Sequence, residues 1–353
     1  MDKLQKDRNK SFFWVCVKLG IGALIYRGAI DLLSYVMVIV LGIIYGLSPE
    51  NTELYNSISY LLTAIVSLVA FLLSAITLWI ILRLGKRRNY RPTQCKWTIT
   101  PYALFLIIAT IALNFAMAEI NAMVIALLSP NVDMNMALGL GTEISVIEII
   151  LLFVSTAVIP GVVEEIMFRG IILTNLKPYG KGMAIVCSAL LFGLMHMNPA
   201  QFFYTTVMGL ALGYIYVKTN SIWLCMIIHF SNNALGVVQQ IIYQCNDADT
   251  ADGLMSIMML VVAILGIISI GILLIARAAD RKKSVEEIGS FGRIYDSELS
   301  HEECPVTPAL KMPLFFGPSI SLFTVIVVIS MISTMFLLFI TGLLLGIVPG
   351  ALI

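Results

Sequence analysis

Long apolar runs, separated by short polar connections, occupy most of this chain. They lie near residues 29–47, 58–82, 101–123, 143–165, 183–197, 201–217, 222–243, 254–276 and 319–346. Several exceed the roughly 20 apolar residues that a helix needs to cross a bilayer. The pattern therefore predicts an all-α, polytopic transmembrane bundle of about nine spans. The piece 12–26 is also apolar and reads either as an interfacial helix or as an extension of the first span. Three regions follow: 1–142, a flank with about three spans; 143–243, a core; and 244–353, C-terminal spans with a polar loop near 278–315.

Composition agrees with this reading. Of 353 residues, 59% are hydrophobic and 12% charged, and the mean hydropathy is +0.95. A soluble domain could not hide that much apolar surface from water. The N-terminus is polar (MDKLQKDRNK) and no small-residue cleavage site follows a short apolar core, so no cleavable signal peptide is expected. The six cysteines, Cys16, Cys95, Cys187, Cys225, Cys245 and Cys304, are scattered without CxxC spacing and read as unpaired thiols.

The net charge of +1 says nothing about partners, but the distribution of Lys and Arg does. The N-terminal tail carries Lys3, Lys6, Arg8 and Lys10, and the loop 48–57 carries none. The next connection holds Arg83, Lys86, Arg87, Arg88, Arg91 and Lys96, and 124–142 holds none. Arg169, Lys177 and Lys181 follow, then none at 198–200, then Lys218, none at 244–253, and finally Arg277, Arg281, Lys282 and Lys283. The bias alternates at every crossing. By the positive-inside rule the N-terminus is cytoplasmic and the C-terminus outside, which requires an odd number of spans. The stretch 278–315 mixes both signs and reads as a cytoplasmic loop. Its Glu286, Glu287 and Arg293 are a solvated charge cluster, and His301 a solvated histidine.

Candidate chemistry lies where ionisable groups interrupt apolar segments, because charges in a span are expensive and mark function by default. The fourth run ends TAVIPGVVEEIMFRG. Pro160 and Gly161 should bend or loosen the helix just before the acids. Glu165 and Arg169 are four apart, acid first, the favourable order for an ion pair on one face. Glu164 is rotated by about 100° from Glu165, so the two acids cannot share a role. Glu164 is left to face a cavity, where a desolvated carboxylate suits a general base. The bland alternative is a helix-end charge cluster at the cytoplasmic interface.

His196 lies near the end of GMAIVCSALLFGLMHMNP, with Asn198-Pro199 breaking the helix just after it. His229 and Asn233 are four apart in SIWLCMIIHFSNNALG and project together, with Asn232 a weaker candidate. A histidine and an amide on one face could hold a developing oxyanion. Singly, each could be polar glue between helices. At about 1.5 Å per residue, Glu164 and His229 lie roughly 8–15 Å from the cytoplasmic side, but His196 roughly 20 Å. A short hairpin between the fifth and sixth runs, with its apex inside the membrane, would remove that mismatch.

Taken together, Glu164-Glu165-x-x-x-Arg169, Phe192-x-x-x-His196 and His229-x-x-x-Asn233, in that order over residues 143–240, resemble the CPBP family of intramembrane proteases. That family includes type II CAAX prenyl endopeptidases and bacterial proteins linked to bacteriocin processing or self-immunity. The resemblance implies a protease in which Glu164 activates water with help from His196. Glu165 is then an essential second acid held by Arg169, and His229 and Asn233 stabilise the oxyanion. It implies no required cofactor; the alternative is zinc held by Glu164, His196 and His229 as a His₂Glu set, although no HExxH is present. The expected partners are the lipid bilayer and a peptide or membrane-protein substrate, with no nucleic acid. The expected location is a bacterial cell membrane, with the site open toward the cytoplasm. Two rival readings are a non-catalytic immunity or scaffold protein, and an ion-coupled transporter. The transporter predicts pH-gradient-dependent flux and an inverted repeat, and no repeat is visible.

Overall fold

The structure, a computed structural model, describes residues 3–47, 52–83, 102–128, 144–196 and 199–287. Among them every regular element is helical: α1 (Lys3–Leu47), α2 (Thr52–Arg83), α3 (Ala103–Leu128), α4 (Val146–Tyr179), α5 (Lys181–Met195), α6 (Pro199–Thr219), α7 (Ile222–Cys245) and α8 (Ala248–Glu287). Six of these, α1 to α4, α7 and α8, are long and apolar enough to cross a membrane. The expected all-α transmembrane architecture is thus present. The run 319–346 lies outside the described residues.

The described residues fall into two compact units. The first holds 3–47, 52–83 and 144–167; the second holds 102–128, 168–196 and 199–287. In the first, α1 packs along α2, and α2 also meets the first part of α4. In the second, α5 and α6 form a close hairpin, while α3 packs against α6, α7 and α8.

Three local features differ from the sequence expectation or resolve it. The apolar piece 12–26 is an extension of the first span, within one unbroken 45-residue helix. The stretch 278–287, expected to be loop, instead continues α8 to Glu287. Ala, Arg, Lys and Glu in AADRKKSVEE are strong helix formers. Lastly, Pro160 does not break α4. The helix widens to π turns at Val154–Val158, just before the proline, and again at Ile166–Leu173. Pro160 cannot donate to the carbonyl a turn earlier and crowds it, and a widened turn accommodates such an interruption without ending the helix.

The turns of the second unit are built from conformations that the sequence makes available. Gly180 joins α4 to α5 at φ 139°, a region closed to most side chains. Asn220, between α6 and α7, is left-handed at φ 52°, and its Oδ1 accepts from Lys177 Nζ at 3.1 Å. Ser221 then caps α7, its hydroxyl accepting from Leu224 N. Cys187, Cys225 and Cys245 form no disulfide, as expected.

Candidate active site

The second unit gathers three of the expected site residues around one ring. Phe192, on α5, is 1% exposed. His196 stands edge-on to it, 5.1 Å between centroids, and His229 of α7 does the same at 5.6 Å. The Arg169 guanidinium lies 4.7 Å from the centroid of the same ring. Phe168 completes the cluster at 5.1 Å. Phe192 was legible only as a motif position; the structure makes it the surface on which these three side chains converge.

The depth mismatch between the two histidines disappears here. At 15 residues α5 is about 22 Å long, short of the roughly 30 Å hydrocarbon core. The α5–α6 apex therefore need not reach the far side. His196 caps α5 at φ −71°, ψ −19°, and Pro199 opens α6 at the position where proline is best tolerated.

The hairpin is tight because glycines face it. A Cβ on Gly193 would lie 2.0 Å from Thr206 Oγ1, and one on Gly209 would lie 2.9 Å from Ala189 Cα. Small residues let membrane helices approach closely. Gly209 has a second use: its carbonyl accepts from Arg169 Nη2 at 3.3 Å. Arg169 is fully buried, held by that carbonyl and by the aromatic face, a setting that suits a delocalised guanidinium better than an ammonium. The helix around it is braced as well. Thr174 Oγ1 donates to Arg169 O at 2.9 Å, so the Tyr216 hydroxyl, 3.0 Å away, donates to Thr174. Ser188 Oγ donates to Phe168 O at 3.0 Å.

His196 has its tautomer set by its own helix. Nδ1 lies 2.9 Å from Phe192 O. A carbonyl can only accept, so Nδ1 carries the proton, which leaves Nε2 as the position of the lone pair in the uncharged tautomer. His229 is 4% exposed. Asn233, one turn further along α7, accepts at Oδ1 from Asn232 Nδ2 at 3.4 Å, and Asn232 accepts from Asn114 Nδ2 of α3 at 2.9 Å. Asn114 escaped the sequence reading; its only signal was an amide, one of two with Asn121, inside the apolar run of α3.

Glu164 and Glu165 belong to the first unit. Glu165 is fully buried and Glu164 is half-buried, near the end of the α-helical stretch Ile159–Glu165. Among the described residues no group of three His, Cys, Asp or Glu side chains is gathered closely enough to hold a metal ion.

Comparison with known proteins points the same way. Residues 146–235 match the family described as type II CAAX prenyl endopeptidase Rce1-like. Over 94 residues the chain is 29% identical to the Bacillus subtilis (strain 168) protein named "Putative membrane peptidase YdiL". That match covers 26% of this chain and 38% of the relative's length. No solved structure matches the chain. The resemblance to CPBP proteases carried by the three motifs is borne out, and all six expected site residues fall inside the matched segment.

Proposed function

We propose that this protein is an intramembrane endopeptidase that hydrolyses a peptide bond of a membrane-associated or precursor peptide. The observation that carries the reading is the convergence of Arg169, His196 and His229 on the Phe192 ring, within a segment that matches a family of membrane endopeptidases. The relative's name supports the same class of activity. We assign the protein to a bacterial cell membrane, N-terminus cytoplasmic, with the site open toward the cytoplasm. The alternation of basic and uncharged connections supports that orientation.

Glu164 is the general base. It takes a proton from water as the water oxygen attacks the carbonyl carbon of the scissile bond. His196, through the lone pair on Nε2, accepts a hydrogen bond from the water's other O–H and orients it, and that hydrogen stays on the attacking oxygen. The oxyanion that forms is stabilised by His229 and by the Asn233 amide, whose donors count for more in a low-dielectric site. When the intermediate collapses, the C–N bond breaks and the proton held by Glu164 passes to the leaving amine. Glu165 positions the helix through Arg169 and touches no reacting atom. The burial of both side chains, four residues apart with the acid first, supports that pairing.

The decisive experiment compares protein termini, by mass spectrometry, in host membranes carrying wild type or Glu164→Ala at matched abundance. Termini that appear only with wild type are expected, and they identify the substrate. Identical termini, with the wild-type phenotype retained by Glu164→Ala, would replace this reading with a scaffold or immunity protein. Hydrolysis should also survive stringent chelation. Loss of activity with recovery by zinc alone would move the mechanism to a metal held by Glu164, His196 and His229.

A further inference from the structure

Asn114 lies outside the segment that matches the protease family, and the motifs give no role to it or to Asn232. It is 5% exposed on the largely apolar helix α3. Its Nδ2 donates to Asn232 Oδ1 at 2.9 Å, and Asn232 Nδ2 donates to Asn233 Oδ1 at 3.4 Å. The three amides thus form a chain in which every donor points the same way, from Asn114 of α3 through Asn232 to Asn233 of α7.

We propose that Asn114 is a positioning residue that fixes the polarity of this chain and so presents the NH₂ edge of Asn233 to the oxyanion. The inference rests on the reading of Asn233 as an oxyanion donor. An asparagine amide carries a donor edge and an acceptor edge of nearly equal shape. Turned one way it stabilises a negative oxygen; turned the other way it repels it. With the Asn233 carbonyl engaged by Asn232, the amide can donate only from its other edge. Asn232 is committed in that sense only while Asn114 donates to it. Donors aligned in series also polarise one another, which strengthens the last of them. Fixing this orientation before reaction is what an oxyanion site requires.

The competing role for Asn114 is polar glue between α3 and α7. Its Oδ1 argues against glue alone: it is buried with no hydrogen-bond partner among the described residues. An amide kept for adhesion would be expected to satisfy both edges. Asn114→Leu removes that buried oxygen together with the donor and keeps the branched shape and heavy-atom count, so the two changes in stability oppose each other.

The test is a double-mutant cycle on the full-length protein in membranes. It reads the rate at which wild-type-dependent termini appear, at matched abundance, and the thermal unfolding midpoint. Asn233→Ala should slow cleavage by about 10²-fold or more. Asn114→Leu should slow it by about tenfold, with the midpoint nearly unchanged. In the Asn233→Ala background, Asn114→Leu should have no further effect, because it acts through Asn233. Asn232→Leu, which cuts the chain from the α7 side, should reproduce the pattern and serves if Asn114→Leu fails to accumulate. A tenfold loss that persists in the Asn233→Ala background, or a wild-type rate for Asn114→Leu, overturns the proposal while leaving the protease reading intact. No termini distinguishing wild type from Glu164→Ala overturns both.

Discussion

Arg27 and Arg169 both sit inside apolar helices of this protein, and they differ in how far the contacts around them reach. Arg27, in the first unit, finds its counter-charge on its own helix: Nη2 donates to Asp31 Oδ1 one turn later. Arg169, in the second unit, is fully buried and reaches across the fold, to a carbonyl on α6 and a ring on α5. The first arrangement could form in an isolated helix. The second exists only once three elements have assembled. A buried charge is therefore not by itself a site; a charge whose partners come from several elements, each shaped to receive it, is a better indicator.

The comparison can be broken most severely at the second acid. Glu165→Gln should cost about 3–5 kcal/mol, visible as lost yield and a lowered unfolding midpoint as well as lost activity. Normal yield and stability would count against the proposed pairing with Arg169. The matching change in the first unit, Arg27→Met with Asp31→Leu, should leave cleavage untouched. Replacing an ion pair by apolar residues is often neutral or stabilising by about 1–4 kcal/mol. Destabilisation by that double substitution would mean the α1 pair has a tertiary role.

A smaller effect is expected at two glycines. Gly209→Ala places a Cβ 2.9 Å from backbone of α5 and displaces the carbonyl that Arg169 uses. It should cost about 1–3 kcal/mol and reduce cleavage. Gly28→Ala, next to Arg27, meets nothing within 4 Å and should stabilise α1 by about 0.5–1 kcal/mol. Equal unfolding midpoints for the two variants would erase the contrast between a close-packed hairpin and an open helix face.

The smallest effect concerns pH. Asp247 lies between α7 and α8 and caps α8. The Thr250 N–H, at 3.0 Å, and its hydroxyl, at 2.8 Å, hold the Asp247 carboxyl below the usual carboxylate range. A depressed folded-state value stabilises at pH above the unfolded one, and that contribution is lost as pH falls through the folded value. Protection of the first turn of α8 against hydrogen exchange, relative to the intrinsic rate, should therefore fall on acidification below about pH 4. Asp247→Ala should show the lower protection at neutral pH and no further acid response there.

Much of the helix inventory was legible because bilayer-length apolar runs are a one-dimensional signal. The runs that became α2, α3, α7 and α8 needed no knowledge of partners. The six motif residues were legible because charge and imidazole are conspicuous in such runs. What escaped depends on three dimensions. A hydropathy window ended the first span near residue 29, although α1 runs from Lys3 to Leu47, because polar residues at a long helix's end lower the average without stopping the helix. Arg27 escaped for the same reason. Asn114 gave no signal that it meets Asn232, 118 residues away. Gly209 looked like any other glycine until Arg169 was seen to use its carbonyl.

The π turn at Val154–Val158 makes the length of α4 as significant as its apolar character. Many substitutions between Val146 and Pro160 would keep an apolar helix, but removing one residue would not be equivalent. It would relax the widened turn to an ordinary one or rotate everything after it by about 100°. Glu164, Glu165 and Arg169 would then turn together relative to the preceding helix. Evolution can vary the letters of this stretch far more freely than their number, so single-residue insertions and deletions there should be purged where substitutions are tolerated.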